Sequence, residues 1–148
     1  MIRSLLPLLL AGAAFGSVSD DLQRFEGFSA TSYTDTTGHL TVGFGHRTDE
    51  SVTMSRETAL AVLADDIANA EHGARLVFTT FDAQPQHVQD VLVELTFQIG
   101  PTGMGKFIKF GQAIQANDYA LASACLINSR FHRQCPQRCE TLAKRLNP

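Results

Sequence analysis

The chain has 148 residues, 44% hydrophobic and 18% charged, enough to bury one core and free of the bias that marks disordered or low-complexity proteins. The net charge of −3 hides an asymmetry: residues 1–99 carry 5 Lys and Arg against 13 Asp and Glu, whereas residues 100–148 carry 7 against 2. A basic C-terminal part suits an anionic polymer. Nucleic acid is disfavoured, because no helix-turn-helix, zinc finger or aromatic-basic RNA motif is present.

The first eighteen residues, MIRSLLPLLLAGAAFGSV, differ from everything after them. One arginine precedes an uncharged run from Ser4 to Val18, and Ala14 and Gly16 fit a small-residue cleavage site before Ser17. The run contains Pro7 and is short against the roughly twenty residues of a membrane span. The segment is therefore expected to direct export, with the domain occupying residues 19–148. The alternative is a buried first helix.

From Ser19 the chain reads as a short helix. Ser19 is the expected N-cap, Asp20 and Asp21 suit a first turn, Leu22 and Phe25 share a face, and Gly27 stops the helix just after Glu26. A strand from Thr31 to Asp35, a turn at Thr36, Thr37 and Gly38, and a second strand from His39 to Phe44 follow. A three-residue loop sets Asp35 opposite His39 and Tyr33 opposite Thr41, making Asp35 and Thr41 diagonal neighbours roughly 7–8 Å apart at the backbone. That gap suits one held water, with Glu26 facing it across a groove. Two carboxylates flanking a groove fit glycosidic cleavage, in which the leaving oxygen is protonated while positive charge at the sugar carbon is met from the other side. A helix C-terminus disfavours negative charge and so suits Glu26 as the acid, although a nearby arginine acts the other way.

Asp49 to Thr53 reads as loop, and Ser55 caps a helix running to about Leu76 that links the hairpin to the rest. Thr79 to Pro85 is rich in turn formers. Beyond it Val88, Val91, Leu92, Leu95 and Ile99 make an amphipathic stripe ending at Gly100-Pro101. Short helices are predicted over Met104–Phe107, Phe110–Gln115, Asp118–Ile127 and Pro136–Leu146, with Asp118 an N-cap and Pro136 at a first helical position.

Glu26, Asp35 and Thr41, with TVGFGH closing the hairpin, resemble the catalytic motif of phage-type lysozymes, the endolysins of glycoside hydrolase family 24. FQIGPTG at Phe97–Gly103 and NSRFHRQCPQR at Asn128–Arg138 resemble two helical segments of the same family, in order, so that the likeness covers the chain from about Ser19 onward. The resemblance implies a two-lobed α+β fold: a small β-hairpin lobe joined by a long helix to a mostly helical lobe. It implies hydrolysis of the β-1,4 bond between N-acetylmuramic acid and N-acetylglucosamine in peptidoglycan, without a cofactor, by a monomer. Glu26, Asp35 and Thr41 take the catalytic positions, Phe97 and Gln98 positions lining the sugar groove, and Arg138 that of an arginine paired with the catalytic glutamate. For Phe97 a core role competes with groove contact. His46 invites a general-base reading, but the family assigns it no proton transfer, and Asp66 falls where an ion-pair partner is expected. The Gly/Ala-rich N-terminal run is similar to the signal-arrest-release segments of some endolysins.

A lytic transglycosylase, needing the glutamate alone, and an inactive wall-binding module are the rival functions. Cys125, Cys135 and Cys139 depart from the family pattern, as does Phe110. Three pairings are open to the cysteines, and His132, Cys135 and Cys139 lack a fourth ligand and a standard zinc spacing, so no metal is expected.

Overall fold

The computed structural model describes residues 15–148; most of the segment read as an export signal lies outside the described residues. The first helix, α1 (Val18–Glu26), begins two residues earlier than expected because its cap is Ser17. Ser17 Oγ accepts from the Asp20 amide at 3.1 Å while the Asp20 carboxylate accepts from the Ser17 hydroxyl at 2.7 Å. The same carboxylate accepts from the Ser17 amide at 3.4 Å, a reciprocal closure that needs an acceptor side chain at the third helical position. A cap at Ser19 would put Gln23 beyond that position and leave Asp20 unused. Glu26 is the last helical residue, and Gly27 at φ 69° closes the helix.

An antiparallel sheet of three strands follows, in the order β1 (Ser29–Thr34), β2 (Leu40–Gly43) and β3 (His46–Arg47). Tyr33 pairs with Thr41, as the turn length predicts, and β1 is irregular between Ser29 and Tyr33. The short β3 is an addition to the expected hairpin. Gly43 and Gly45, at φ 65° and 79°, adopt a backbone that side chains resist, so β2 ends at Gly43 and the chain doubles back to pair Val42 with His46.

Ser55 caps the long helix α2 (Arg56–Val77), accepting from the Thr58 amide at 3.1 Å. This helix joins two cores. Near its start Ala59 and Leu63 pack with Leu22 and Phe44 to form the small core of the hairpin lobe. Near its end Ala70 and Ala74 enter the larger core, where Val91, Leu92 and Leu95 of α3 (Gln86–Ile99) are the centre. Val18, Ile67 and Phe97 pack against both, so the lobes share a partly apolar seam. The predicted two-lobed α+β arrangement is therefore present.

Around α3 the remaining helices are α4 (Pro101–Gly105), α5 (Ile108–Gln115), α6 (Tyr119–Ile127), α7 (Arg130–Gln134) and α8 (Pro136–Leu146). Pro101 starts α4 at once after Gly100, where the sequence predicts loop until Met104; proline is well placed at the first position of a helix. α7 was not expected. It is a single short turn capped by Ser129, whose hydroxyl accepts from the His132 amide at 3.2 Å. Phe110, the departure from the family pattern, is fully buried and stacks edge-on with Phe78 and Phe107.

Candidate active site

Four elements place the residues around Glu26. The end of α1 supplies the carboxyl group, α8 supplies Arg138, α3 supplies Gln98, and the β2–β3 turn supplies Gly45. Arg138 Nη1 donates to Glu26 Oε1 at 2.7 Å and to Gln98 Oε1 at 2.6 Å. The guanidinium also lies 5.2 Å from the centre of the Phe25 ring, and with 7% of its side chain exposed it is nearly sealed, whereas Glu26 keeps 21%. The arginine is thus a fixed support behind an acid that still reaches solvent. A Cβ at Gly45 would come within 3.0 Å of Glu26 Oε2. The absence of a side chain there lets the hairpin backbone close against the carboxylate.

Asp35 is held differently. Its Oδ1 accepts from the Thr37 amide at 2.8 Å, the Thr37 hydroxyl at 2.7 Å and the His39 amide at 2.9 Å. The backbone bond from His39 and the hydroxyl bond from Thr37, both favouring the anion, hold this carboxyl down at about 2, below its ordinary 3.8. Oδ2 takes part in none of these bonds. Thr41 is buried, and its hydroxyl donates to the His39 carbonyl at 3.3 Å; the Asp35 amide donates to the same carbonyl at 2.8 Å. The backbone of His39 therefore ties Asp35 and Thr41 into one rigid unit. Among the described residues no hydrogen bond or ion pair joins that unit to Glu26.

His46 and Asp66 form the expected pair, Nδ1 to Oδ2 at 2.8 Å, fastening β3 to α2. Phe97 packs against both cores, which favours the core side of its two readings, whereas Gln98 is exposed and spends its carbonyl oxygen on Arg138. The three cysteines are free thiols. Cys139 is fully buried, its Sγ donates to the Leu126 carbonyl at 3.2 Å, and burial pushes the thiol up to about 11, so it behaves as a packing residue.

A second arginine site on α8 has no counterpart among the sequence-based expectations. Arg145 donates to Asp21 at 2.9 Å, Asp90 at 2.7 Å, Glu94 at 3.0 Å and the Gly16 carbonyl at 2.7 Å. A signal was available: Glu94 interrupts the apolar run Val91-Leu92-Val93 and Leu95, and a charge at a core position needs a partner.

Outside this region, a groove of about 610 Å³ on the helical lobe is lined by Lys106, Lys109, Leu121, Cys125 and Arg130 among others. None of the candidate catalytic residues borders it.

Comparison with known proteins bears on the whole chain. The peptidoglycan hydrolase gp36 of Pseudomonas phage phiKMV is 28% identical over 134 residues, a stretch that takes in 86% of this chain. The chain spans only 15% of the length of that relative. The family model described as phage lysozyme matches residues 23–147, from the turn of α1 before Glu26 to the end of α8 and so across both lobes. On that match the chain belongs to the phage lysozyme family.

Proposed function

We propose that the chain is an endolysin muramidase that hydrolyses the β-1,4 bond between N-acetylmuramic acid and N-acetylglucosamine of peptidoglycan. The observation that carries this is the contrast between two acids of one motif. Glu26 is partly exposed on a fixed arginine, and Asp35 is locked as an anion by the turn that it closes. Glu26 protonates the leaving oxygen as the glycosidic bond breaks. Asp35, through Oδ2, and Thr41 orient the attacking water and meet the positive charge that develops on the sugar. Water adds to the anomeric carbon as the leaving group departs, its proton passes to Asp35 and returns through solvent to Glu26, and the product gains a reducing end. With a water rather than Asp35 as nucleophile, the anomeric configuration is inverted. The basic C-terminal lobe contributes attraction to the anionic wall, and no cofactor enters the mechanism.

The reading extends to location. The N-terminal segment is proposed to carry the enzyme towards the periplasm, tethered transiently to the inner membrane. Retention of the segment is favoured over cleavage before Ser17, because Gly16 accepts from Arg145 and Phe15 lies 5.4 Å from the same guanidinium. No helix among the described residues is long and apolar enough to cross a membrane.

Digestion of purified peptidoglycan followed by mass analysis of the fragments tests the reaction. Hydrolysis gives reducing ends. Anhydro ends would make the protein a lytic transglycosylase, and uncleaved wall would make it a binding module.

A further inference from the structure

The turn that closes the β1–β2 hairpin carries an imidazole ring that the proposed reaction does not use. Gly38, at φ 86°, folds the chain back between Thr37 and His39. The Thr37 hydroxyl then meets His39 Nδ1 at 2.8 Å on one side and Asp35 Oδ1 at 2.7 Å on the other. The ring nitrogen itself stands 4.0 Å from Asp35 Oδ1, beyond hydrogen-bond reach, so the ring acts on that oxygen through Thr37. A hydroxyl has one proton to give. Given to His39, it would leave two bare acceptors, Thr37 Oγ1 and Asp35 Oδ1, facing each other at 2.7 Å; given to Asp35, it makes a charge-assisted bond to an anion. The proton therefore goes to Asp35, and Nδ1 is the donor of the other contact. A neutral ring protonated at Nδ1 and an imidazolium both meet that need, so the direction of the chain does not depend on the charge of the ring.

We infer that His39 is a positioning residue for Asp35: its Nδ1 proton is donated to the Thr37 hydroxyl, which turns the single Thr37 proton onto Asp35 Oδ1 and leaves Oδ2 to hold the attacking water. The inference rests on the proposed role of Asp35. Oδ1 accepts from the Thr37 amide, the Thr37 hydroxyl and the His39 amide, and an oxygen with three donors has no lone pair left for a water. Without the ring the Thr37 hydroxyl is free to turn to solvent. Oδ1 then keeps its two amide donors alone, and the carboxylate offers water two similar oxygens in place of one. Bonds of this kind add only modestly to stability. What the chain supplies is direction, because each donor fixes the proton of the next and polarises it. The charge of Asp35 is favoured by the same groups: after the His39 amide, the Thr37 hydroxyl is the strongest influence holding the carboxyl at about 2, and the charge of the ring adds a smaller one.

The test is steady-state kinetics of the full chain on soluble peptidoglycan fragments. His39→Leu, which keeps the backbone amide and carbonyl, should lower kcat about 3- to 10-fold with KM little changed. His39→Asn, whose side-chain amide puts a neutral donor near the place of Nδ1, should restore most of the loss. Thr37→Val breaks the chain at its next link, so the double variant with His39→Leu should be little slower than Thr37→Val alone. Independently of activity, nitrogen-15 NMR of the parent should find the proton of the neutral His39 ring on Nδ1, and a carbon-13 titration should place the Asp35 midpoint higher in His39→Leu than the parent value of about 2. An unchanged kcat in folded His39→Leu would overturn the inference, and so would additive losses in the double variant or a bare Nδ1 in the neutral ring. The nitrogen-15 measurement needs no substitution and decides the matter if the variants do not fold. It also separates the two ideas: an active Asp35→Asn would end the role of Asp35, whereas the tautomer of the ring reads the chain itself.

Discussion

Glu26 and Asp35 stand nine residues apart in one motif, yet their surroundings are built in opposite ways. Every partner of the Asp35 carboxylate lies within four residues of it, in the turn Thr36 to His39. The hydrogen-bonding partner of Glu26 comes from 112 residues away, on the last helix. A short turn can therefore fix the charge of Asp35 before the lobes meet, whereas the environment of Glu26 exists only once α8 has docked against α1 and α3. One acid is set by local geometry and the other by the global fold.

Substitutions on the two sides should break differently. The largest expected effect on the local side is in Asp35→Asn. Asparagine keeps an acceptor for the Thr37 and His39 amides, so the turn survives, but the charge is lost and lysis should fall about 10²-fold or more. Circular dichroism and turbidity assays on one preparation check both halves. In the parent, protection of the Thr37 and His39 amides against hydrogen exchange should persist as pH falls through 3.8 and disappear only near 2, because the stabilisation from a depressed carboxyl is lost at its folded value.

On the global side, Arg138→Ala should lower stability by about 2–3 kcal/mol. That is less than the roughly 3–5 kcal/mol typical of a sealed pair, because Glu26 can turn to water. Activity should fall by roughly 10- to 100-fold as the acid loses its fixed orientation. Thermal unfolding and kcat on wall fragments measure the two losses. Gly45→Ala joins the two sides, since it strains a backbone at φ 79° and presses a methyl group on Glu26 Oε2. It should cost about 1–2 kcal/mol and reduce kcat with little change in KM. The smallest effect is expected for Ser17→Ala, which removes the cap of α1 and should lower stability by about 1 kcal/mol while leaving the kinetics at room temperature intact.

What could be read in advance divides along the same line. Turn chemistry at Thr36 to Gly38 predicted the Tyr33–Thr41 register, and apolar spacing predicted α2 and α3, because those signals are local and periodic. The β2–β3 turn was missed because an alternating run Leu40, Val42, Phe44 looks like one strand, and the positive φ values at Gly43 and Gly45 break it. The helix α7 was missed because five residues are too few to show a period. Arg138 and the His46–Asp66 pair came from family likeness. No spacing rule joins residues 112 apart, and the meeting of Arg145 with Asp21, Asp90 and Glu94 depends on how three helices dock.

The central claim is that Glu26 delivers the proton that breaks the glycosidic bond, and it is tested most directly by assaying Glu26→Gln on purified peptidoglycan beside its thermal unfolding. The amide can still accept from Arg138 but has no acidic proton to give. The account predicts a folded protein whose lytic rate is about 10²–10⁴-fold lower; a folded Glu26→Gln within a few-fold of the parent would contradict it.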